Sequence, residues 1–471
     1  MAENDQLAGA PPQDNTPNPV MDEETRLRPE FVDKVLDAVD AGDDETARTL
    51  VRPLHPADVA DLIELARSDE REGLVKALAG IVSPDVLAEL NDYVREDLLD
   101  ELEPQQVADI AGQLETDDAV ALIEDLDREE QQAVLQRMEP DDRAAVEEAL
   151  GYPEESAGRL MQRDLCAVPE HWKVGQVIDY LRSTEDLPTD FWEVFVVSPD
   201  HHPVGTCKLS TILRTPRTML VSDIMASEQT LIPVDMDQED VALRFQKYAL
   251  VSAAVTDSAG RLVGMITVDD VVHIIQEEAG EDVLRLSQAG DSDINAPLSE
   301  TIRVRMWWLF INLGTAILAA AVVAFFQGTI TRLVTLAVIM PIVTGMGGNA
   351  ATQTMAVTVR ALATNQLTSS NTWRMIMREW WIASANGLGL GVLMAIGCQF
   401  IYHDIGLSVV LFLAMVLNSL NAGLSGVLIP VGLEKLRIDP AVTSTVFVTT
   451  MTDTLGFFFF LGLAQLFGLH G

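Results

Sequence analysis

From Thr443 to Leu463 the chain is apolar except for threonines, glycines and one acid, Asp453, near the middle. A run of that length spans a bilayer as a helix. Lipid leaves a spanning segment little other choice, because its backbone hydrogen bonds must be satisfied internally. A carboxylate at such a depth costs at least ~2.5 kcal/mol to insert and normally faces a bundle interior or a watery path. Thr445, Thr449, Thr452 and Gly456 share the helical face of Asp453. The run reads as one wall of a cation path with Asp453 as its charge. The bland alternative is a carboxylate buried against a partner helix.

Four further apolar segments precede it, at 306–327, 333–359, 380–402 and 407–433, with the last continuing over 443–468. The spacing predicts five transmembrane helices within residues 301–471. This part holds five acids and eight bases, a charge of +3, while the whole chain carries −41. Residues 1–300 therefore carry −44, which repels nucleic acid and attracts cations. The start Met1-Ala2-Glu3-Asn4-Asp5 has neither a basic nor an apolar leader region, so the acidic half is expected to stay in the cytoplasm. On that footing Arg303, Arg305, Arg360, Arg374, Arg378, Lys435 and Arg437 lie inside, Arg332 lies outside, and Gly471 ends on the outer face. A multi-pass protein of the cell (inner) membrane follows. Cys166, Cys207 and Cys398 show no metal-ligand spacing and read as small buried side chains.

The second apolar segment is unusual. Gly345, Gly348, Asn349, Thr352, Gln353 and Ala356 fall on one helical stripe and put glycines and amides at mid-membrane. Asn418, Asn421, Ala422 and Ser425 repeat the pattern on the fourth segment. Small residues let helices approach closely, and amides bridge them. With Asp453 in the same bundle, the second stripe (Gly345, Gly348, Asn349, Thr352) is read as pore lining along with Thr449 and Thr452, and the fourth as helix packing.

The acidic half has three parts. Residues 1–28 are rich in Pro, Asn, Gln and Gly and are expected to be a disordered tail. Over 29–150, the triplets Leu102-Glu103-Pro104, Leu114-Glu115-Thr116, Leu126-Asp127-Arg128 and Met138-Glu139-Pro140 recur every twelve residues. Each opens a short apolar stripe of helical spacing, so short helices should stack into a superhelix. Residues 151–217 and 218–275 are two copies of one unit: Leu160-Met161 matches Ile224-Met225, Val168-Pro169 matches Ile232-Pro233, and Val204-Gly205 matches Val263-Gly264. The first copy has an insertion near Glu185–Asp190. Each copy reads strand, helix, strand, strand, helix. Beyond them a helical linker, 276–300, carries Glu277, Glu278, Glu281 and Asp282 within two turns, a self-repelling cluster that a divalent ion would relieve.

The duplicated unit resembles a tandem CBS pair. Gly264-Met265-Ile266-Thr267-Val268-Asp269-Asp270 looks like the element by which some CBS modules hold adenosine nucleotides, with Thr267 on phosphate and Asp270 on ribose; a turn-and-cap role for Thr267 is the alternative. The equivalent Gly205-Thr206-Cys207-Lys208-Leu209-Ser210-Thr211 lacks both groups, so ATP is a weak expectation. Gly345-Met346-Gly347-Gly348-Asn349-Ala350-Ala351-Thr352-Gln353, the join Tyr152-Pro153-Glu154-Glu155-Ser156-Ala157-Gly158-Arg159-Leu160-Met161 and Thr452-Asp453-Thr454-Leu455-Gly456-Phe457 together resemble the MgtE-type magnesium transporters. The resemblance covers nearly all the chain after residue 30.

It implies a multi-domain fold: an all-α superhelical N domain, α+β tandem CBS domains, a linker (plug) helix and a five-helix membrane domain. It implies a homodimeric Mg²⁺ channel in the lipid bilayer that closes when internal Mg²⁺ is high, and not an enzyme. Asp453 then corresponds to the selectivity carboxylate. Asp439 corresponds to an acid that engages the gating helix, and Asp270, Glu278, Glu281 and Asp282 to sensing acids. His273 stands where the family often has an acid. A secondary divalent-cation carrier is the alternative in transport, but a repeated pair of broken helices is not evident. A membrane enzyme or receptor is the alternative in class, and no HExxH, nucleophile elbow or P-loop appears.

Overall fold

The computed structural model describes residues 20–22, 25–100, 102–184, 187–188, 191–288 and 294–468. Most of the expected tail, most of the insertion at 185–190 and Gly471 lie outside the described residues. The chain divides into two compact units, Met1–Val272 and His273–Gly471.

Ten helices open the first unit among the described residues: α1 Pro29–Asp40, α2 Asp44–Val51, α3 Pro56–Leu65, α4 Ser68–Ala77, α5 Pro84–Ala88, α6 Asp92–Leu99, α7 Pro104–Ala111, α8 Thr116–Glu124, α9 Arg128–Leu135 and α10 Pro140–Ala149. The last four begin at 104, 116, 128 and 140, and the acid of each repeated triplet (Glu103, Glu115, Asp127, Glu139) is the residue just before its helix. An acid there complements the helix dipole, and Pro104 and Pro140 occupy the first turn, where a missing N–H costs nothing. None of these helices could bury its stripe alone. Together Val107, Ala111, Val120, Ile123, Val134 and Val146 join Leu62, Ile63, Leu74 and Val94 in one core. Arg95 is buried among them, paired to Asp92 and Asp125 at 2.7 Å each.

Two three-stranded sheets of identical topology follow. The first holds β1 Ala167–Pro169, β2 Glu193–Val197 and β3 Pro203–Lys208, with α11 Val174–Ser183 between β1 and β2 and α12 Leu209–Arg214 after β3; the second holds β4 Leu231–Pro233, β5 Ser252–Thr256 and β6 Leu262–Thr267, with α13 Gln238–Tyr248 between β4 and β5. The outer pairs are parallel, the hairpins antiparallel, and each hairpin shifts register at the equivalent place, Val196/Val197 and Val255/Thr256. The matched dipeptides explain themselves. A Cβ on Gly205 would meet Met225 Sδ at 2.9 Å, and one on Gly264 would meet Met161 Sδ at 2.7 Å. Each copy's glycine thus receives the methionine that leads into the other copy. The join segment is held by Arg159, which donates to Tyr152 O at 3.0 Å and Leu150 O at 3.1 Å and pairs with Glu124 at 2.6 Å.

The helix after β6, α14, runs unbroken from Val268 to Leu286. The expected boundary at 275/276 therefore falls inside one helix: the buried apolar positions Val271 and Ile274 and the acidic positions beyond them continue the same helical rise. In the second unit come α15 Leu298–Phe325, the short α16 Gln327–Arg332, α17 Thr335–Ala363, α18 Thr372–Tyr402, α19 Ile405–Lys435 and α20 Pro440–Leu466. Five of these, all but α16, are long and apolar enough to cross a membrane. α19 is the central one, with Val410, Leu411, Ala414, Ala422 and Val427 wholly enclosed. Its neighbours approach through small residues. A Cβ on Gly387 would meet Ser419 Cβ at 2.9 Å, one on Gly423 would meet Ala383 Cβ at 2.8 Å, and one on Gly426 would meet Thr354 Cβ at 2.8 Å.

Candidate cation sites

The polar stripe of α17 does not point into its own bundle. Val343, Gly347, Ala351, Thr354 and Thr358 are buried, whereas Gly345, Asn349, Thr352, Gln353 and Ala356 are exposed and Gly348 is partly so. On α20, Asp453 is half-buried and Thr449 exposed. α17 packs against α20. Amides, glycines and a carboxylate thus stand open on helices built for lipid. Thr452 is a correction. It is fully buried, and its hydroxyl donates to Val448 O at 3.1 Å and Thr449 O at 3.0 Å, so it lines nothing. A helix turns ~100° per residue, which swings position 452 away from position 453.

Glu379 was missed by the sequence reading, which began the third segment at 380. Because α18 starts at Thr372, Glu379 rides inside it, 6% exposed, and accepts a hydrogen bond from Thr354 Oγ1 at 3.1 Å. Asp453 is therefore not alone as an acid within the long membrane helices.

At the N-terminal end of α20, Asp439 caps the helix through Ala441 N at 2.7 Å, and its other oxygen lies 3.4 Å from Arg285 of α14. Arg285 also pairs with Glu281. The last turn of α14 is anchored to the bundle, since Thr445 Oγ1 donates to Leu286 O at 3.0 Å. Glu278, Glu281 and Asp282 are partly buried here. Burial, and then the charges of Asp439 and Glu278, push the Asp282 carboxyl above its ordinary range, with Arg285 opposing. Glu281, Asp282 and Asp439 thus gather around Arg285, with Glu278 beside Asp282.

The first unit brings together acids that the sequence reading did not. Glu115, Asp117 and Asp118 open α8, and they lie close enough to Asp269 and Asp270, opening α14, for the charges of the group to raise the proton affinity of Glu115, Asp117 and Asp270. Burial and then Asp270 push Glu115 up to about 7. Burial pushes Asp270 up to about 6, with a hydrogen bond from Thr267 opposing it. Asp117 is held well above the usual carboxylate range by burial and Asp270, and its Oδ1 is enclosed without a hydrogen-bond partner. In sequence Glu115 stands out only as part of a repeated triplet, and Asp117 and Asp118 do not stand out at all. Thr267 is buried, and its hydroxyl donates to Asp270 Oδ2 at 2.7 Å, with Gln162 Nε2 donating to the same oxygen at 3.3 Å. Both candidate nucleotide contacts are thus engaged with each other at the head of α14. Among the described residues no group of three or more His, Cys, Asp or Glu could hold a metal ion as placed.

Comparison with known proteins matches the model for divalent cation transporters (MgtE) at residues 340–463, the MgtE intracellular N domain at 54–155 and the CBS domain at 221–277. The magnesium transporter MgtE of Thermus thermophilus is 32% identical over 326 residues, 68% of this chain and 72% of that protein. That of Enterococcus faecalis is 30% identical over 321 residues, 68% of this chain and 71% of that protein. A crystal structure of the cytosolic domain of the Mg²⁺ channel MgtE in complex with ATP is 27% identical, covers 52% of this chain and 99% of that one, and has a TM-score of 0.48. The chain belongs to the MgtE family of magnesium transporters.

Proposed function

We propose that this protein conducts Mg²⁺ into the cell as a homodimeric channel and that its acidic cytosolic half closes it when internal Mg²⁺ rises. The observation that carries the reading is the open polar face of α17 and α20 around Asp453. Half-buried carboxylates and bare amides are costly against lipid, so this face calls for a second copy of the chain and a water path between them. Two Asp453 carboxylates across a two-fold axis would hold a hydrated divalent ion through its waters. Five candidate spans, with basic residues clustered at alternate ends, support a topology with the N-terminal half in the cytoplasm and the C-terminus outside.

Gating follows from charge. With little Mg²⁺, the acids of α8 and the head of α14 repel one another, as do Glu278, Glu281, Asp282 and Asp439 at the far end of α14. Divalent cations at these residues would relieve that repulsion. One weak site is insufficient, since a 1:99 to 99:1 shift needs about 5.5 kcal/mol of differential binding, so several ions act together. ATP remains the lesser part of the proposal: Thr267 and Asp270 would first have to part, and titration of the full-length protein with ATP and Mg²⁺ separately decides it. The central test is Mg²⁺ flux into liposomes. Asp453→Ala should abolish selective Mg²⁺ entry while the protein still elutes as folded material; undiminished, selective flux would falsify the assignment.

A further inference from the structure

We propose that Asn418 is a positioning residue for ion selection: its amide fixes the Asp453 turn of α20 against the glycine stripe of α17. The proposal rests on Asp453 being the ion-binding carboxylate. Asn418 sits on α19 and is 1% exposed. Its Nδ2 donates to Val343 O on α17 at 2.9 Å. A Cβ on Gly347 would come within 2.0 Å of that nitrogen, and one on Gly456 within 2.9 Å. Gly347 directly precedes the partly exposed Gly348 and the exposed Asn349, and Gly456 lies one turn beyond Asp453 on the same face. The amide thus fills a niche that exists only because both flanking helices have glycine there.

Packing alone is a poor explanation for an amide in this place. Asn418 Oδ1 is enclosed and has no hydrogen-bond partner. An unpaired buried acceptor carries a desolvation cost that an apolar side chain of similar size avoids. What the amide adds is the donor on Val343 O, and of the amide's two ends only the nitrogen can face a carbonyl. That carbonyl lies two residues past Pro341, whose ring removes one rung of the α17 ladder. Asn421, also on α19, donates to Met451 O at 3.3 Å. Two asparagines of α19 therefore tie α17 and α20 on either side of Asp453. An ion site distinguishes cations only when its groups stay at a fixed separation, and this pair of ties supplies that separation.

The test uses the full-length protein in liposomes, with Mg²⁺ and Ca²⁺ flux measured at several pH values against wild type. Asn418→Asp keeps the shape. Ionised, it sets an acceptor against Val343 O; protonated, it offers a donor again. The Mg²⁺/Ca²⁺ flux ratio should fall about tenfold at pH 8, the size of one lost buried hydrogen bond, and recover on acidification. The double variant Asn418→Ala/Gly347→Ala returns a methyl to the niche without a donor, and its ratio should stay low at every pH. A wild-type ratio in the double variant, or an Asn418→Asp ratio that never departs from wild type, overturns the proposal. If Asn418→Asp does not assemble, the double variant decides alone. Asp453→Ala run alongside separates the two ideas: a wild-type ratio there removes the pore reading itself, whereas a collapsed ratio there with unchanged Asn418 variants removes only the positioning role.

Discussion

At the residue scale, neighbours in sequence part company. Thr452 is fully buried and Asp453, one position on, is half-exposed. Asp453→Asn should keep the fold and lower Mg²⁺ flux by at least about tenfold, because an amide holds a hydrated divalent ion far more weakly than a carboxylate. Thr452→Val should leave the flux ratio among divalent ions unchanged, since its hydroxyl serves only its own helix. The pair was half legible: a lone acid in an apolar run announces itself, but the width of a polar face does not say which threonine is inside it. A second residue-scale prediction concerns protons. Glu115 and Asp270 rise to about 7 and about 6 from ordinary values of 4.5 and 3.8. The folded first unit therefore binds more protons than the unfolded chain between those limits. Their contribution to stability is fully present below about pH 4 and is lost as pH rises through 6 to 7. Thermal unfolding in metal-free buffer should show the first unit losing stability over that window. Asp270→Asn should flatten the trend and raise the midpoint at pH 8 by a few degrees, at about 2–4 °C per kcal/mol for a domain of this size. Mg²⁺ should oppose the loss, and protect more at pH 8 than at pH 5.5, where protons compete for the same oxygens.

At the element scale, α14 carries acids at both ends, and in the proposed mechanism it would link sensing to gating. Its first turn carries Asp269 and Asp270 beside the acids of α8, and its last turns carry Glu281, Asp282 and Arg285 beside Asp439. A continuous helix transmits displacement along its axis without a joint to absorb it. Neutralising three of its acids together, Glu278→Gln/Glu281→Gln/Asp282→Asn, should leave flux high at internal Mg²⁺ that silences wild type. If the triple variant still shuts at the wild-type concentration, the acids are an ordinary solvated face and closure originates elsewhere. Sequence showed the acids at helical spacing, but it split the helix at 275/276, because nothing local distinguishes a change of composition within one helix from a boundary between two elements. Glu379 escaped for a related reason. Charged Arg374, Arg378 and Glu379 looked like loop, whereas the helix that carries them is extended by packing of α18 on α19.

At the scale of the whole molecule, the membrane helices of one chain leave their most polar face uncovered. The expected assembly is two copies, so native mass spectrometry in mild detergent should give twice 51.4 kDa. A stable, transport-competent monomer would remove the reading of the α17 and α20 face as a two-fold pore. Crosslinking through single cysteines placed at Thr449 or Asn349, in a background lacking Cys166, Cys207 and Cys398, should join copies to each other. The same substitutions at Thr452 and Ala351, both buried within one chain, should not.

Sequence by itself determined the long-range plan. Five apolar runs compel five spanning helices because lipid tolerates no unpaired backbone. A twelve-residue repeat compels a helical stack because no single unit buries its stripe. The matched dipeptides of the two CBS copies announced a duplication, and the blocks around Asn349 and Asp453 announced the family. Only the tertiary structure decided which polar groups meet. Glu115 and Asp117 became partners of Asp270 across more than a hundred and fifty residues, Asn418 found two glycines on two other helices, and Thr267 turned to Asp270. Periodicity fixes the face of each helix, because it is a property of one element's geometry. The pairing of faces is fixed by packing among elements distant in the chain, and local spacing carries no record of it.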